Sequence, residues 1–139
     1  MNNEQYKIIE KIKNSKPILG IKAFFAEEYF QSSIAVWLII LSLVANLANW
    51  LILKIFIRPI DLPIILHYNV YFGVDMMGNY KEVYVLPLIG IILLLINLFL
   101  SKYLYEKKER IASYLLMMAA LMIQLALIVS SVSVIIINY

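Results

Sequence analysis

The sequence DLPIILHYNVYFGVDMMGNYKE, residues 61–82, divides this chain into segments of very different character. It holds the only histidine, His67, two of the four glycines, and the longest mixture of polar and aromatic residues. On both sides the sequence becomes apolar and monotonous over long runs. Since the backbone inside a membrane must stay helical, whereas prolines and glycines favour turns, this stretch predicts a structured loop between two membrane-crossing helices.

The composition of the chain is that of a membrane protein. Of its 139 residues, 63% are hydrophobic and 15% are charged, whereas soluble domains average about 45–50% and about 25%. Three runs carry no charge at all: Tyr29–Leu53, Val83–Ser101 and Ile111–Tyr139. About 17–25 apolar residues cross a bilayer, so each run is long enough to form a transmembrane helix.

We therefore predict an all-α integral membrane protein with three transmembrane helices over about residues 33–56, 84–105 and 111–137, and an ordered outer loop at 58–83. The link between the second and third spans is short, which predicts that these two helices are antiparallel neighbours. Residues 1–32 are predicted to form an amphipathic segment, because large apolar and charged residues are mixed there. Such a segment lies either in the headgroup layer or against its own helix bundle.

The positions of the basic residues predict how the chain is oriented. Five lysines precede the first span, and Lys102, Lys107, Lys108 and Arg110 surround the link between the second and third spans. Because cytoplasmic segments carry an excess of lysine and arginine, we expect the N-terminus in the cytoplasm. The loop and the C-terminus are then expected outside a bacterial cell membrane.

Several kinds of chemistry are excluded or disfavoured by composition. The chain has no cysteine, which rules out disulfides, thiolate metal sites and cysteine nucleophiles. Its net charge of +3 gives no indication of nucleic-acid binding. One histidine with one or two carboxylates is a thin set of metal ligands, and no HExxH motif or phosphate-binding glycine loop is present. We expect no cofactor and no metal, and a binding protein rather than an enzyme.

Four amide side chains lie within the predicted spans and need hydrogen-bond partners there: Asn46, Asn49, Asn97 and Gln124. An unpaired amide in hydrocarbon costs several kcal/mol, so we expect them to face one another inside the bundle. They either hold the helices together or line a path for a substrate or ion. No charged residue lies in the middle of a span, which argues against proton-coupled transport.

Small residues on the third span predict a face for close helix contact, either inside the bundle or with another subunit. This face comprises Ala119, Ala120, Ala126, Ser130, Ser131 and Ser133. The bilayer is the first expected partner, and a second membrane protein or a further copy of the chain is the next.

The loop contains a recognisable succession of residues: His67, Tyr68, Asn69, Gly73, Asp75, Gly78 and Lys81, followed by Leu86-Pro87 and a membrane span. This succession resembles a bacterial membrane domain of unknown function that also begins the SdpI-like toxin-immunity and signalling proteins. The resemblance implies a shared three-dimensional loop rather than a shared activity.

The apolar residues of the loop are expected to rest on the membrane surface or on the helix ends, and His67 and Asp75 are able to meet across its turns. Three roles are open for His67, Asn69 and Asp75: shaping the loop, recognising a peptide, lipid headgroup or subunit, and forming a metal or catalytic site. We favour a small non-enzymatic membrane protein that binds a partner through the loop, in immunity, signalling or assembly. The alternative is a subunit of a transporter or membrane enzyme with an amide-lined path.

Overall fold

The structure, a computed structural model, describes residues 27–138. Its elements in chain order are α1 (Glu28–Gln31), α2 (Ser33–Phe56), β1 (Ile64–Asn69), β2 (Gly73–Gly78), a 3₁₀ helix (Tyr80–Tyr84), α3 (Val85–Glu106) and α4 (Arg110–Asn138). The predicted amphipathic segment lies outside the described residues, apart from 27–32, which form α1 and the turn into α2.

Three helices are long and apolar enough to cross a membrane: α2, α4, and the continuous segment Tyr80–Glu106 that contains α3. They lie where the uncharged runs predicted the three spans. Large apolar side chains such as Trp37, Ile55 and Phe99 project from them with 62%, 69% and 62% of their surface exposed. An apolar surface of this extent is stable against lipid tails rather than against water.

The buried side of α4 explains how the helices pack. Its buried residues, separated by three, four or seven positions, are Ser113, Met117, Ala120, Gln124, Ser131 and Val134. This spacing is the heptad pattern of helices that cross at small angles. α4 packs against both α2 and α3, which makes it the central contact of the bundle. Many of the buried residues are small or polar, so the helices approach closely.

The ordered loop that the sequence predicted is a β-hairpin, so the chain is mostly helical but not all-α. β1 and β2 pair antiparallel, with Asn69 opposite Gly73 at the turn and Ile64 opposite Gly78 at the base. Pro59 and Pro63 prevent α2 from continuing toward the strands, because proline lacks the amide proton that a helix needs.

The base of the hairpin belongs to the apolar core at one end of the bundle. Ile64 is buried together with Leu53 and Ile57, which lie at the end of α2, and with Val83 and Val134. The hairpin is therefore packed onto the helix ends and is part of the same folded unit. The opposite end of the bundle has its own apolar cluster around Tyr29, described below.

Candidate functional site

His67 and Asp75 meet across the hairpin, as the sequence suggested they could. The Nδ1 atom of His67 lies 2.7 Å from Oδ1 of Asp75, and the two side chains are 63% and 42% exposed. The strand register shifts on both sides of His67, which pairs with Met76 instead of continuing the ladder of its neighbours. Such irregularities change the direction in which a side chain points. In this hairpin the register shifts lie on either side of His67, whose imidazole forms an exposed pair with the carboxylate of Asp75.

Asn69 and Gly73, by contrast, build the turn. The Oδ1 atom of Asn69 accepts a hydrogen bond from the backbone amide of Tyr71 at 2.9 Å. Gly73 has a φ of 79°, in the left-handed region that favours glycine. Both residues therefore have a local structural role.

Gly78 and Lys81 lie where the hairpin joins the 3₁₀ helix. A Cβ atom on Gly78 would come within 2.6 Å of both Leu66 Cδ1 and Glu82 Oε2. Glu82 cannot easily retreat, because its Oε1 accepts a hydrogen bond from the backbone amide of Asn79 at 3.0 Å in a capping box. The Nζ of Lys81 lies over the ring of Tyr80, 5.8 Å from its centre.

Two adjoining clefts open between the hairpin and the ends of α3 and α4, and His67 borders both. Their volumes are about 340 Å³ and about 380 Å³. The residues that line both clefts are Leu66, His67, Leu86 and Val134. Met76 and Glu82 line the first, and Ser130, Ser133 and Tyr68 line the second. An apolar groove with one exposed imidazole–carboxylate pair at its edge suits an apolar ligand that carries a few polar groups.

Asn138 connects the hairpin to α4, and sequence reasoning missed it. Its Oδ1 accepts from the Ile65 amide at 2.9 Å, and its Nδ2 donates to the Ile65 carbonyl at 2.7 Å. The same Nδ2 donates to the Val134 carbonyl at 2.8 Å. One side chain thus satisfies both backbone groups of a strand residue, as a neighbouring strand would. The available signal was a single amide at the end of a long apolar run.

A polar layer crosses the middle of the bundle. The Nδ2 of Asn46 donates to Oε1 of Gln124 and to the Pro87 carbonyl, both at 2.9 Å. The Nε2 of Gln124 donates to the Gly90 carbonyl at 2.8 Å. Asn46 and Gln124 are both buried, so this layer joins α2, α3 and α4 away from lipid.

The other two amides do not share these bonds. Asn97 is only partly buried and donates to the Leu93 carbonyl of its own helix at 2.8 Å, so it takes no part in the layer. Asn49 is buried, and neither atom of its amide has a hydrogen-bond partner within residues 27–138. The buried Oγ of Ser131 is in the same state. The predicted small face is divided: Ala120 and Ser131 point inward, whereas Ser130 and Ser133 are exposed and bond their own helix.

A second polar cluster, which the sequence did not single out, lies at the end of the bundle opposite the hairpin. The hydroxyl of Tyr29 is 2.9 Å from Oγ of Ser101, which is 2.8 Å from Oγ of Ser113. Burial raises the pKa of Tyr29 above its ordinary value, which keeps the hydroxyl neutral. Around this core, Lys102 pairs with Glu27 at 2.7 Å. The cluster ties α1 to α3 and α4.

Within residues 27–138, no group of three or more histidine, aspartate or glutamate side chains is arranged to hold a metal ion. Among the described residues, His67 and Asp75 form a pair without a third ligand of this kind. No known family, curated protein or solved structure matches this chain.

Proposed function

We propose that this chain is a multi-pass protein of the bacterial cell membrane that binds a partner through its hairpin, without catalysis. Its role would be that of an immunity, signalling or assembly protein, in keeping with the SdpI-like proteins that its loop resembles. The observation that carries this proposal is the exposed His67–Asp75 pair at the edge of an apolar cleft, on a hairpin fastened to the helix ends.

His67 and Asp75 are the loop residues that are free to serve recognition. Asn69, Gly73 and Gly78 are occupied by the turn and by close packing. An exposed ion pair contributes only about 0–1 kcal/mol to stability, so the hairpin does not depend on this one. With Nδ1 of His67 facing Asp75, the Nε2 atom is the ring nitrogen that a bound partner can reach.

The hairpin is proposed to lie outside the cell. Five lysines precede α2, and Lys107, Lys108 and Arg110 lie at the link between α3 and α4. Cytoplasmic segments carry such an excess of basic residues. A reporter enzyme that is active only outside the cytoplasm should be active when it is fused after Asn138. If it is inactive there, and a reporter that works only in the cytoplasm is active at the same position, the orientation is the reverse.

Recognition by the hairpin is tested by the double variant His67→Ala/Asp75→Ala. We expect the variant to fold like the wild type, and to lose proteins that the wild type retains during purification in mild detergent. Photo-crosslinking from a benzoylphenylalanine placed at Met76, which lines the same cleft, should form a defined adduct that the double variant lacks.

The matched control is Glu28→Ala/Arg110→Ala. It removes an exposed ion pair at the opposite end of the bundle, in which Nη2 of Arg110 lies 2.8 Å from Oε1 of Glu28. This control should retain every partner and the adduct. If the His67→Ala/Asp75→Ala variant folds and keeps all partners and the adduct, binding through the hairpin is wrong.

The alternative, an amide-lined path for transport or membrane catalysis, has less support. A path needs amides that can exchange their partners for a passing solute. Asn46 and Gln124 are buried and already bonded to each other and to carbonyls of α3. Bonds of this kind are common contacts between transmembrane helices, which favours a structural role for the layer.

A further inference from the structure

The tip of the hairpin presents three consecutive large apolar residues to its surroundings. Val70, Tyr71 and Phe72 are 85%, 91% and 85% exposed. No charged residue lies between His67 and Asp75 in the sequence. A contiguous apolar projection of this kind is rare on a surface that faces water, and marks a site of contact with a membrane or another molecule.

The start of β1 is held level with the end of α4. Asn138, the last residue of α4, bonds both backbone groups of Ile65. Farther along β1, Tyr68 lines a cleft whose other wall includes Ser130 and Ser133. Ser130 lies about 12 Å below Asn138 along the helix axis, at about 1.5 Å per residue. The cleft between β1 and α4 therefore extends from the end of α4 toward the middle of the bundle.

The depth of this cleft can be placed relative to a bilayer centred on the polar layer. Measured along α4 from Gln124, Asn138 is about 21 Å away and Ser130 about 9 Å away. The hydrocarbon core extends about 15 Å on each side of its centre. Asn138 then lies among the headgroups and Ser130 below the boundary of the acyl chains. The hairpin tip begins five residues beyond Ile65, which Asn138 holds, and five strand residues extend at most about 17 Å, so the tip can reach that boundary.

We propose that Val70, Tyr71 and Phe72 insert into the headgroup–acyl boundary of the bilayer that the same chain crosses. Tyrosine is enriched at this depth, because its ring enters the apolar region while its hydroxyl stays among polar groups. The residues of the tip offer apolar surface without the cost of burying a charge, since none of them is charged. Lipid then holds the free end of the hairpin, and Asn138 holds its base.

Lipid anchoring of the tip does not depend on partner binding at His67 and Asp75. It assigns the two ends of the hairpin to different tasks, with the tip in lipid and the imidazole–carboxylate pair beside the cleft. A hairpin held at both ends also presents that pair in one orientation, which reduces the entropy lost when a partner binds.

The test places a single tryptophan at the tip. In a Trp37→Phe/Trp50→Phe background, the variants Phe72→Trp and Tyr71→Trp are reconstituted into phosphatidylcholine vesicles with bromine atoms high on the acyl chains. Two further variants calibrate the result: Phe99→Trp, on the lipid-facing side of α3, and Glu109→Trp, in the exposed link before α4. Circular dichroism confirms that each variant is folded.

We expect brominated lipid to quench Phe72→Trp and Tyr71→Trp about as strongly as Phe99→Trp, and aqueous acrylamide to quench them much less than Glu109→Trp. If both tip tryptophans behave like Glu109→Trp, the tip lies in water and the proposal is wrong. Shielding from both quenchers would place the tip against a protein, either a second copy or a partner, and would equally overturn it. Neither result would bear on the experiment with His67→Ala/Asp75→Ala.

Discussion

Replacing Gly90 by alanine should destabilise the bundle through its polar layer. A Cβ atom at this position would lie 2.6 Å from Oε1 of Gln124 and 2.7 Å from Nδ2 of Asn46. Both distances are far below ordinary contact, so the two amides must move. These are the atoms that form the Asn46–Gln124 hydrogen bond. The substitution therefore costs the hydrogen bonds that these two buried side chains make.

The magnitude follows from the bonds that are lost. Interhelical hydrogen bonds in membrane proteins contribute about 0.6–2 kcal/mol each. Displacing both amides removes the bond between them, the bond from Asn46 to the Pro87 carbonyl and the bond from Gln124 to the Gly90 carbonyl, which together contribute about 2–6 kcal/mol. Alanine offsets about 1 kcal/mol of this loss, because it is a better helix former than glycine. We expect a net loss of about 1–5 kcal/mol in the free energy of unfolding.

The assay is equilibrium unfolding in mixed micelles with increasing sodium dodecyl sulfate, followed by circular dichroism. Gly90→Ala is compared with wild type, and again in a Gln124→Ala background where one of the two colliding amides is absent. The cost of the added methyl group should fall by more than half in that background, which a double-mutant cycle measures directly. Wild-type stability in Gly90→Ala, or an equal cost in both backgrounds, would refute the reasoning.

Three further predictions concern the hairpin and the opposite end of the bundle. Asn138→Ala should leave the helices intact but loosen β1, because the amide and carbonyl of Ile65 lose the side chain that bonds them. Amide hydrogen exchange should accelerate in the two strands and stay unchanged in the centres of the helices. Gly73→Ala should cost about 1–2 kcal/mol, because its φ of 79° is strained for any side chain, and the loss should appear as faster exchange confined to the turn. Burial raises the pKa of Tyr29, so its contribution to the free energy of unfolding should be complete below about pH 10 and fall as the pH rises toward the folded pKa. In unfolding titrations, Tyr29→Phe should therefore lose less stability at alkaline pH than the wild type. Near neutral pH the same variant should cost about 1 kcal/mol, because it lacks the bond to Ser101.

The hairpin shows how much of the structure of the loop could be predicted from its residues. The prolines and glycines indicated that the helix ends and that the chain turns, and the meeting of His67 with Asp75 was anticipated. The pairing of the two strands was not predicted, because residues 64–68 and 74–77 are apolar at most positions. No alternation of polar and apolar residues therefore distinguishes the two faces of a strand. The apolar residues were expected to rest on lipid or on the helix ends, and Ile64 does lie against the helix ends while it also forms part of the ladder.

The polar residues inside the spans illustrate a different limit. Four amides could be identified from the sequence, but their partners depend on how three helices rotate about their axes. Asn46 and Gln124 meet because α2 and α4 turn these faces together and Gly90 leaves room. Asn97 is only partly buried, and its own helix supplies the acceptor.

The sequence by itself determined that this chain has three helices able to cross a membrane and one structured connection, because uncharged apolar runs of that length are stable only as helices in lipid. Only the tertiary structure decided which polar groups pair, that the connection is a hairpin, and that Asn138 ties it to the end of α4. Pairings between residues distant in sequence depend on the relative rotation and height of packed elements. That geometry arises from the fit of many side chains at once, so no local pattern specifies it.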